Sequence, residues 1–288
     1  MAESLLNLKN RITTVESIKK ITNAMKLIAS SRYTRLKSLY DANIEYTNEM
    51  KDAMEVSLKY VNYGDRKLPT CLIKNSGDKK LFILVSPTLG LCGSYFYNIQ
   101  KLAQKEIKPG DDVIFIGEKG YKSFKNQVNK YYDDFVDLLD NFTFSRVNAM
   151  RHFIEHAYLR ENYSSVNIIY TQYLNSMSTE AICEEILPLK YNENPDLTGE
   201  IEPTVDREMY KICDLIVPHY LDALLYHLLL ESSVSEQTCR KNSMENATTS
   251  AEKLIYNLKL EYNNIRQQNI TNEITEIISG SGDSLNFI

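Results

Sequence analysis

The sequence predicts an α/β protein in which a central α/β domain, with a small mixed or parallel sheet, is flanked by long N- and C-terminal helices that pair as an antiparallel coiled coil. Three observations carry this. Every glycine and proline lies between Gly64 and Pro218, apart from Gly280 and Gly282, which leaves breaker-free runs of 63 residues (Met1 to Tyr63) and 61 residues (His219 to Ser279). A glycine inside a helix costs roughly 1 kcal/mol and a proline roughly 3 kcal/mol, so such runs favour long helices. Both runs carry apolar residues at alternating spacings of three and four. Between them, short apolar runs alternate with helical stretches.

The elements follow in chain order. In the first run the seam is read through Ile18, Ile21, Met25 and Ile28, then Leu36, Leu39, Ile44, Thr47, Met50, Met54, Leu58 and Val61. Spacing of three and four sustained this way marks a coiled coil. In the middle, Leu81 to Ser86 is an apolar strand followed by a glycine-containing turn. A helix over Tyr95–Ile107 leads to a second strand, Asp112 to Ile116, closed by Gly117. Helices over Tyr121–Val128 and Thr143–Asn162 precede a third strand at Val166–Thr171. Strands alternating with helices imply a sheet covered by helices. Asn192–Pro203, with Pro195, Gly199 and Pro203, reads as a loop, and Pro218 as the start of the second long helix. That helix continues the pattern through Leu221, Leu224, Leu225, Leu228 and Leu229, then Met244, Ala247, Ala251, Leu254, Leu258, Tyr262 and Ile265, and last Ile270, Ile274 and Ile277. At the helical rise it would extend for about 90 Å. Ala247 and Ala251 allow a partner helix to come close. The expected boundaries are 1–63 for the N-terminal helix, 64–218 for the α/β domain and 219–288 for the C-terminal helix and its tip.

Composition excludes several function classes. No apolar run approaches the roughly 20 residues of a membrane span, and the N-terminus lacks a basic stretch followed by an apolar core, so neither direct membrane insertion nor a signal peptide is expected. The five cysteines are scattered, with no CxxC pair, which supports neither a disulfide framework nor a metal site. The net charge of −5 hides an asymmetry: residues 1–40 hold eight basic side chains against Glu3 and Glu16. A basic stripe of this kind binds nucleic acid or an acidic protein surface, or is offset by the second helix.

Candidate catalytic chemistry is thin. A phosphate loop requires GxxxxGK[ST], so that backbone amides and a lysine cradle phosphate. The nearest stretch, Gly117 to Lys122, has the wrong spacing, so no nucleotide or other cofactor is expected. Cys92, in Gly90-Leu91-Cys92-Gly93, stands before a helix where a thiol can be activated. The alternative is a small buried side chain in a tight turn, and no partner base stands out. His152 and His156 are one helical turn apart but lack further ligands, and a solvated helix face accounts for them. Glu184 and Glu185 are adjacent and point apart. No catalytic or metal residue is assigned. Arg266, Gln267 and Gln268 interrupt the apolar seam beside Asn263 and Asn264, where pairing can end.

Ile18-Lys19-Lys20-Ile21-Thr22-Asn23-Ala24-Met25 resembles the KIT-x-AM signature of the γ subunit of F-type ATP synthases. Glu231 to Glu236 is similar to the family's ES-x-x-SE stretch, and Arg240, Met244 and Ala247 to its R-x-x-x-M-x-x-A region. Tyr262 to Ile277 matches YN-x-x-RQ-x-x-IT-x-E-x-x-EI. Gly90 to Gly93, Ile116 to Tyr121 and Leu187 to Leu189 fit as well, so the resemblance spans the chain. It implies a non-catalytic rotor shaft, peripheral on the cytoplasmic face of the membrane. Its partners would be the α and β subunits of the catalytic ring, ε and δ, and the c-ring of the membrane sector, with no nucleic acid. The resemblance also implies which residues meet partners: Arg266 and Gln267 against acidic loops of β, with Thr271 and Glu273 nearby, Met25, Lys19, Lys20 and Lys26 against its acidic lever segments, and Arg240 among the coupling residues. Thr88-Leu89 stands where the family usually has Asp-Arg, and the tail after Gly280 departs from the usual short one. A γ-like subunit of a paralogous rotary ATPase not coupled to proton flow would account for such departures. A coiled-coil nucleic-acid binder is the reading from a different class, marked by salt-dependent binding.

Overall fold

The computed structural model describes residues 2–60, 69–190 and 209–283. Two helices dominate it: α1 over Ala2–Tyr60 and a C-terminal helix over Met209–Asp283. Between them lie β1 (Lys80–Val85), α2 (Tyr95–Glu106), β2 (Asp112–Ile116), α3 (Glu118–Phe124), β3 (Lys130–Tyr132), α4 (Phe144–Arg160), β4 (Ser165–Tyr173) and β5 (Thr179–Leu187), so the C-terminal helix is α5. The chain forms two compact units. One comprises residues Met1–Ala29 with Lys241–Ile288, the other Ser30–Arg240.

The larger unit holds a five-stranded sheet in the order β3-β2-β1-β4-β5. β1 pairs in parallel with β2 and β4, and β2 with β3, while β5 returns antiparallel to β4. The mixed sheet is thus as expected. Alternation along the strands sends side chains to two covered faces. Leu81, Ile83 and Val85 join Val147, Met150 and Ile154 of α4 and Leu221, Leu225 and Leu228 of α5. Phe82 and Leu84 join Tyr95, Ile99 and Ala103 of α2 and Phe124 of α3. Burial on both faces explains why β1 and β2 read as unbroken apolar runs.

Several expectations need correcting. Pro218 lies inside α5, nine residues after its first residue, Met209. The hydrogen bond and clash it costs are outweighed by the burial of Cys213, Val217 and Leu221 around it. α3 begins earlier than read, at Glu118, because Gly117 turns the chain at φ 87°. The sequence pattern does not predict β3 or β5. β5, Thr-Glu-Ala-Ile-Cys-Glu-Glu-Ile-Leu, is rich in helix formers, and its pairing with β4 from Tyr173 to Val166 overrides that preference. The loop read over 192–203 lies outside the described residues. α5 also contains an 18-residue window of mean hydropathy 1.3, contrary to the expectation that no such run exists, and half of that window is buried within the protein. Leu221, Leu225, Leu228 and Leu229 of this helix lie in the protein's own core, whereas Leu215 is exposed.

Gly117 and Gly120 both pack against Ser86. A Cβ on Gly117 would lie 1.9 Å from the Ser86 carbonyl oxygen, and one on Gly120 2.6 Å from Ser86 Oγ. The Ser86 hydroxyl donates to the carbonyl of Ile116 at 2.9 Å and accepts from the Gly120 amide at 2.8 Å. The glycines therefore let α3 close onto the end of β1. Gly117→Ala combines a positive φ with a backbone clash and is expected to destabilise by about 3 kcal/mol. Thermal denaturation of the purified chain checks this, and an unchanged midpoint would refute it.

On α5, half-buried His227 stacks on Tyr40 of α1 at 5.1 Å between ring centroids, and its Nδ1 lies 3.3 Å from Asn43 Oδ1. Burial lowers its pKa. The folded state then resists protonation, so the unfolded chain takes up the proton first as pH falls through the ordinary imidazole value near about 6.5. Stability is expected to drop between that value and the depressed one. His227→Gln should lose less of its thermal midpoint than the wild type between pH 7.5 and 5.5 (roughly the imidazole range); parallel curves would contradict the assignment.

Candidate functional site

In the smaller unit, α1 and α5 run antiparallel. Lys19 pairs with Glu252 at 2.9 Å and Glu16 with Lys259 at 2.9 Å, while Thr248 donates to Thr22 at 2.9 Å. As numbers rise on one helix they fall on the other. The seam is Leu8, Val15, Ala251 and Leu258, flanked by Ile12, Ile255, Tyr262 and Ile265. The ion pairs bridge the seam at its exposed margin. Lys259 holds the Glu16 carboxyl below its ordinary range, although pairs this open to solvent add little stability.

On α5 the seam holds Ala251, Leu258, Tyr262 and Ile265, as the spacing predicts, but on α1 it follows a different stripe from the one the spacing suggests. Ile18, Ile21 and Ile28 are 48%, 60% and 58% exposed. Leu254, expected in the seam, is also exposed, and Ile255 takes its place. α1 carries two neighbouring apolar stripes that both satisfy three-four spacing, and only the partner helix decides which is covered. The uncovered stripe, Ile18-Ile21-Ile28 with half-buried Met25 between, is a surface that the pairing of α1 and α5 leaves to solvent. On α5, Ile270, Ile274 and Ile277 are likewise exposed, the last at 71%.

Most of the residues singled out lie on these helices. Lys20 is exposed, Lys26 half-buried, and Lys19 is committed to Glu252. Arg266, Gln267 and Glu273 are exposed, with no ion pair among the described residues. Leu5 of α1 shares a shallow groove with Arg266, Asn269, Ile270 and Glu273. Thr271 donates to the Gln267 carbonyl one turn back at 2.9 Å. Met25, Lys19, Lys20 and Lys26 of α1 and Arg266, Gln267, Thr271 and Glu273 of α5 therefore all belong to the smaller unit.

Arg240 belongs to the larger unit and turns inward. Its guanidinium meets Glu236 at 2.6 Å and donates to the carbonyl of Leu89 at 2.9 Å. It thus grips the turn between β1 and α2, where Leu91 adopts φ 64°. Leu89, in the departing Thr88-Leu89 pair, points outward at 65% exposure while its carbonyl is held from below. Cys92 in the same turn is buried, and burial pushes its thiol up in pKa. That is the opposite of what a nucleophile needs, so packing explains it. His152 and His156 are exposed, and the described residues contain no group of three or more metal-ligating side chains. Glu184 and Glu185 do point apart: Glu184 accepts from Tyr170 at 3.3 Å, and Glu185 pairs with Lys190 at 3.5 Å.

Sequence reasoning missed the buried polar residues of α5. Asp222 is fully buried and receives Arg151 Nε at 2.9 Å and Asn148 Nδ2 at 2.9 Å, both from α4. Glu231 and Ser232 are buried as well. The available signal was an acid inside an otherwise apolar run, Leu221-Asp222-Ala223-Leu224-Leu225.

The ATP synthase family model matches residues 4–282. The chain is 33% identical to the ATP synthase gamma chain of Mycoplasmopsis pulmonis over 287 residues, covering 96% of this chain and 99% of that one. It is 34% identical to the ATP synthase gamma chain of Ureaplasma parvum serovar 3, covering 97% and 100%. Among solved structures, a chain of the Euglena gracilis mitochondrial ATP synthase rotor aligns with a TM-score of 0.63 at 15% identity, covering 94% of this chain and all of that one. A chain of the OSCP/F1/c-ring structure from the same organism aligns at 0.64 and 14% identity, covering 98% and 95%. At such identities the structures speak for the fold.

Proposed function

Because the chain belongs to the ATP synthase gamma chain family, we propose that it is the central rotor shaft of an F-type ATP synthase, coupling ion flow through the membrane sector to ATP synthesis or hydrolysis in a ring of α and β subunits. The observation that carries this is the exposed surface of the smaller unit. Two paired helices whose seam is filled still present Ile18, Ile21 and Ile28 on one, and Ile270, Ile274 and Ile277 on the other. Exposed apolar stripes rimmed by charge mark protein contact surfaces.

In this reading the chain performs no chemistry. The nucleotide sites lie in the surrounding ring, in keeping with a sequence that holds no phosphate loop. Arg266 and Gln267 donate to acidic loops of β, as suits a guanidinium with no ion pair among the described residues, and Thr271 and Glu273 flank that contact. Lys20 and Lys26, with Met25, face acidic lever segments of β; Lys19 reaches them only by leaving Glu252. Arg240 acts from within, by holding the turn after β1. The larger unit meets ε and the c-ring, and δ completes the assembly, which places the chain at the cytoplasmic face of the membrane without inserting into it. Rotation shifts the affinity of each β only insofar as the shaft's contacts differ between its states.

Gentle purification of the tagged chain from its native membranes, with mass spectrometry of what accompanies it, tests the reading. Recovery of α, β, ε and c supports it. Recovery of α- and β-like chains without c would instead favour the paralogous ATPase, in line with the altered Thr88-Leu89 turn. Recovery of neither ring subunit would overturn both, and salt-sensitive nucleic acid would favour the binder.

A further inference from the structure

Residues 231–240 of α5 are buried on nearly every side, yet among the fully buried ones only Val234 is apolar. Three of the polar side chains reach other elements of the larger unit, while Thr238 bonds back to the Val234 carbonyl within α5 at 2.9 Å. Glu231 accepts from the Tyr40 hydroxyl of α1 at 3.2 Å and from the Tyr173 amide of β4 at 3.1 Å. Ser232 Oγ meets the Tyr95 hydroxyl of α2 at 2.8 Å and the Thr171 amide of β4 at 3.5 Å. Arg240, paired with Glu236, holds the Leu89 carbonyl after β1 at 2.9 Å. Ser232, Glu236 and Arg240 are four residues apart and so form one stripe of the helix.

Stability does not explain this composition. A buried ion pair can be replaced by apolar side chains of similar volume without loss, often with gain. Direction does explain it. Apolar contact is non-directional, so a helix packed by leucines alone can turn slightly about its axis at little cost. Hydrogen bonds weaken steeply as their angle departs from linear, so bonds to four separate elements oppose any such turn.

We propose that this polar band fixes the rotational setting of α5 against the sheet, so that torque passes between them without slip. Glu231, Ser232, Glu236 and Arg240 are then positioning residues. The inference rests on the rotor reading above.

The test uses the whole complex, purified and reconstituted into lipid vesicles, with phosphate release and a membrane-potential dye read together after ATP is added. Wild-type complex that hydrolyses ATP without building a potential would sink the rotor reading itself. Given a working wild type, two double variants each break a side-chain bond of the band: Tyr95→Phe with Ser232→Ala, which removes both partners and is close to neutral for stability, and Tyr40→Phe with Glu231→Gln, which keeps an acceptor for the Tyr173 amide. Combined, they should leave the ATPase rate of the detergent-solubilised complex within about twofold while the potential built per ATP hydrolysed falls by roughly threefold or more. The thermal midpoint of the purified chain should stay within about 3 °C. An unchanged yield per ATP, or a yield that falls only in step with the thermal midpoint, overturns the inference. If the fourfold variant fails to fold, either double variant decides alone, since each should lower the yield.

Discussion

Replacing Asp222 by alanine is expected to lower the stability of the larger unit by about 3 kcal/mol, seen as a fall in thermal midpoint of roughly 6 °C or more. The Asp222 side chain is 1% exposed and that of Arg151 8%. Removing the carboxylate leaves Arg151 Nε and Asn148 Nδ2 without their acceptor in a space that water does not enter, and such orphaned donors carry the full desolvation cost. The estimate sits at the low end for a broken buried pair because Arg151 keeps Glu155, at 2.5 Å. Asp222→Asn retains an acceptor oxygen and should cost about half as much. Denaturation of the three proteins checks the order. An alanine variant as stable as the wild type would show that the α4–α5 brace contributes nothing.

Replacing Arg266 and Gln267 together by alanine is expected to do the reverse, sparing the fold and impairing the machine. Both side chains are exposed, and Arg266 has no ion pair among the described residues, so stability should change by no more than about 0.5 kcal/mol. If they bond acidic loops of a surrounding ring, losing a charge-assisted contact worth about 1.5 kcal/mol should lower ATP synthesis by the reconstituted complex about tenfold. Wild-type synthesis by this variant would remove both residues from the coupling contacts.

How much was legible in the sequence depends on what decides each feature. β1 and β2 were readable because burial on both faces leaves them no polar positions. The long helices were readable because the absence of breakers is itself a signal. The faces of those helices were not. Ile18, Ile21 and Ile28 satisfy the same spacing as Leu8, Ile12 and Val15, and periodicity cannot tell a covered stripe from an open one beside it. Pro218 misled because local propensity was taken over the packing of Val217 and Leu221. β5 escaped because its residues favour helix and only pairing with β4 makes them a strand. At the candidate site, the spacing that places Arg266 and Gln267 on α5 was in the sequence. The inward turn of Arg240 was not, because its acceptors are backbone carbonyls some 150 residues away in the chain.

The central claim is that this chain turns inside a ring that hydrolyses ATP. Its most direct test fixes the α/β ring to a surface, attaches a gold particle to a cysteine introduced in the larger unit, and follows the particle after ATP is added. Stepwise rotation in one direction, stopping when ATP is exhausted, is the predicted result. A particle that stays still while the same immobilised complexes release phosphate would contradict the account.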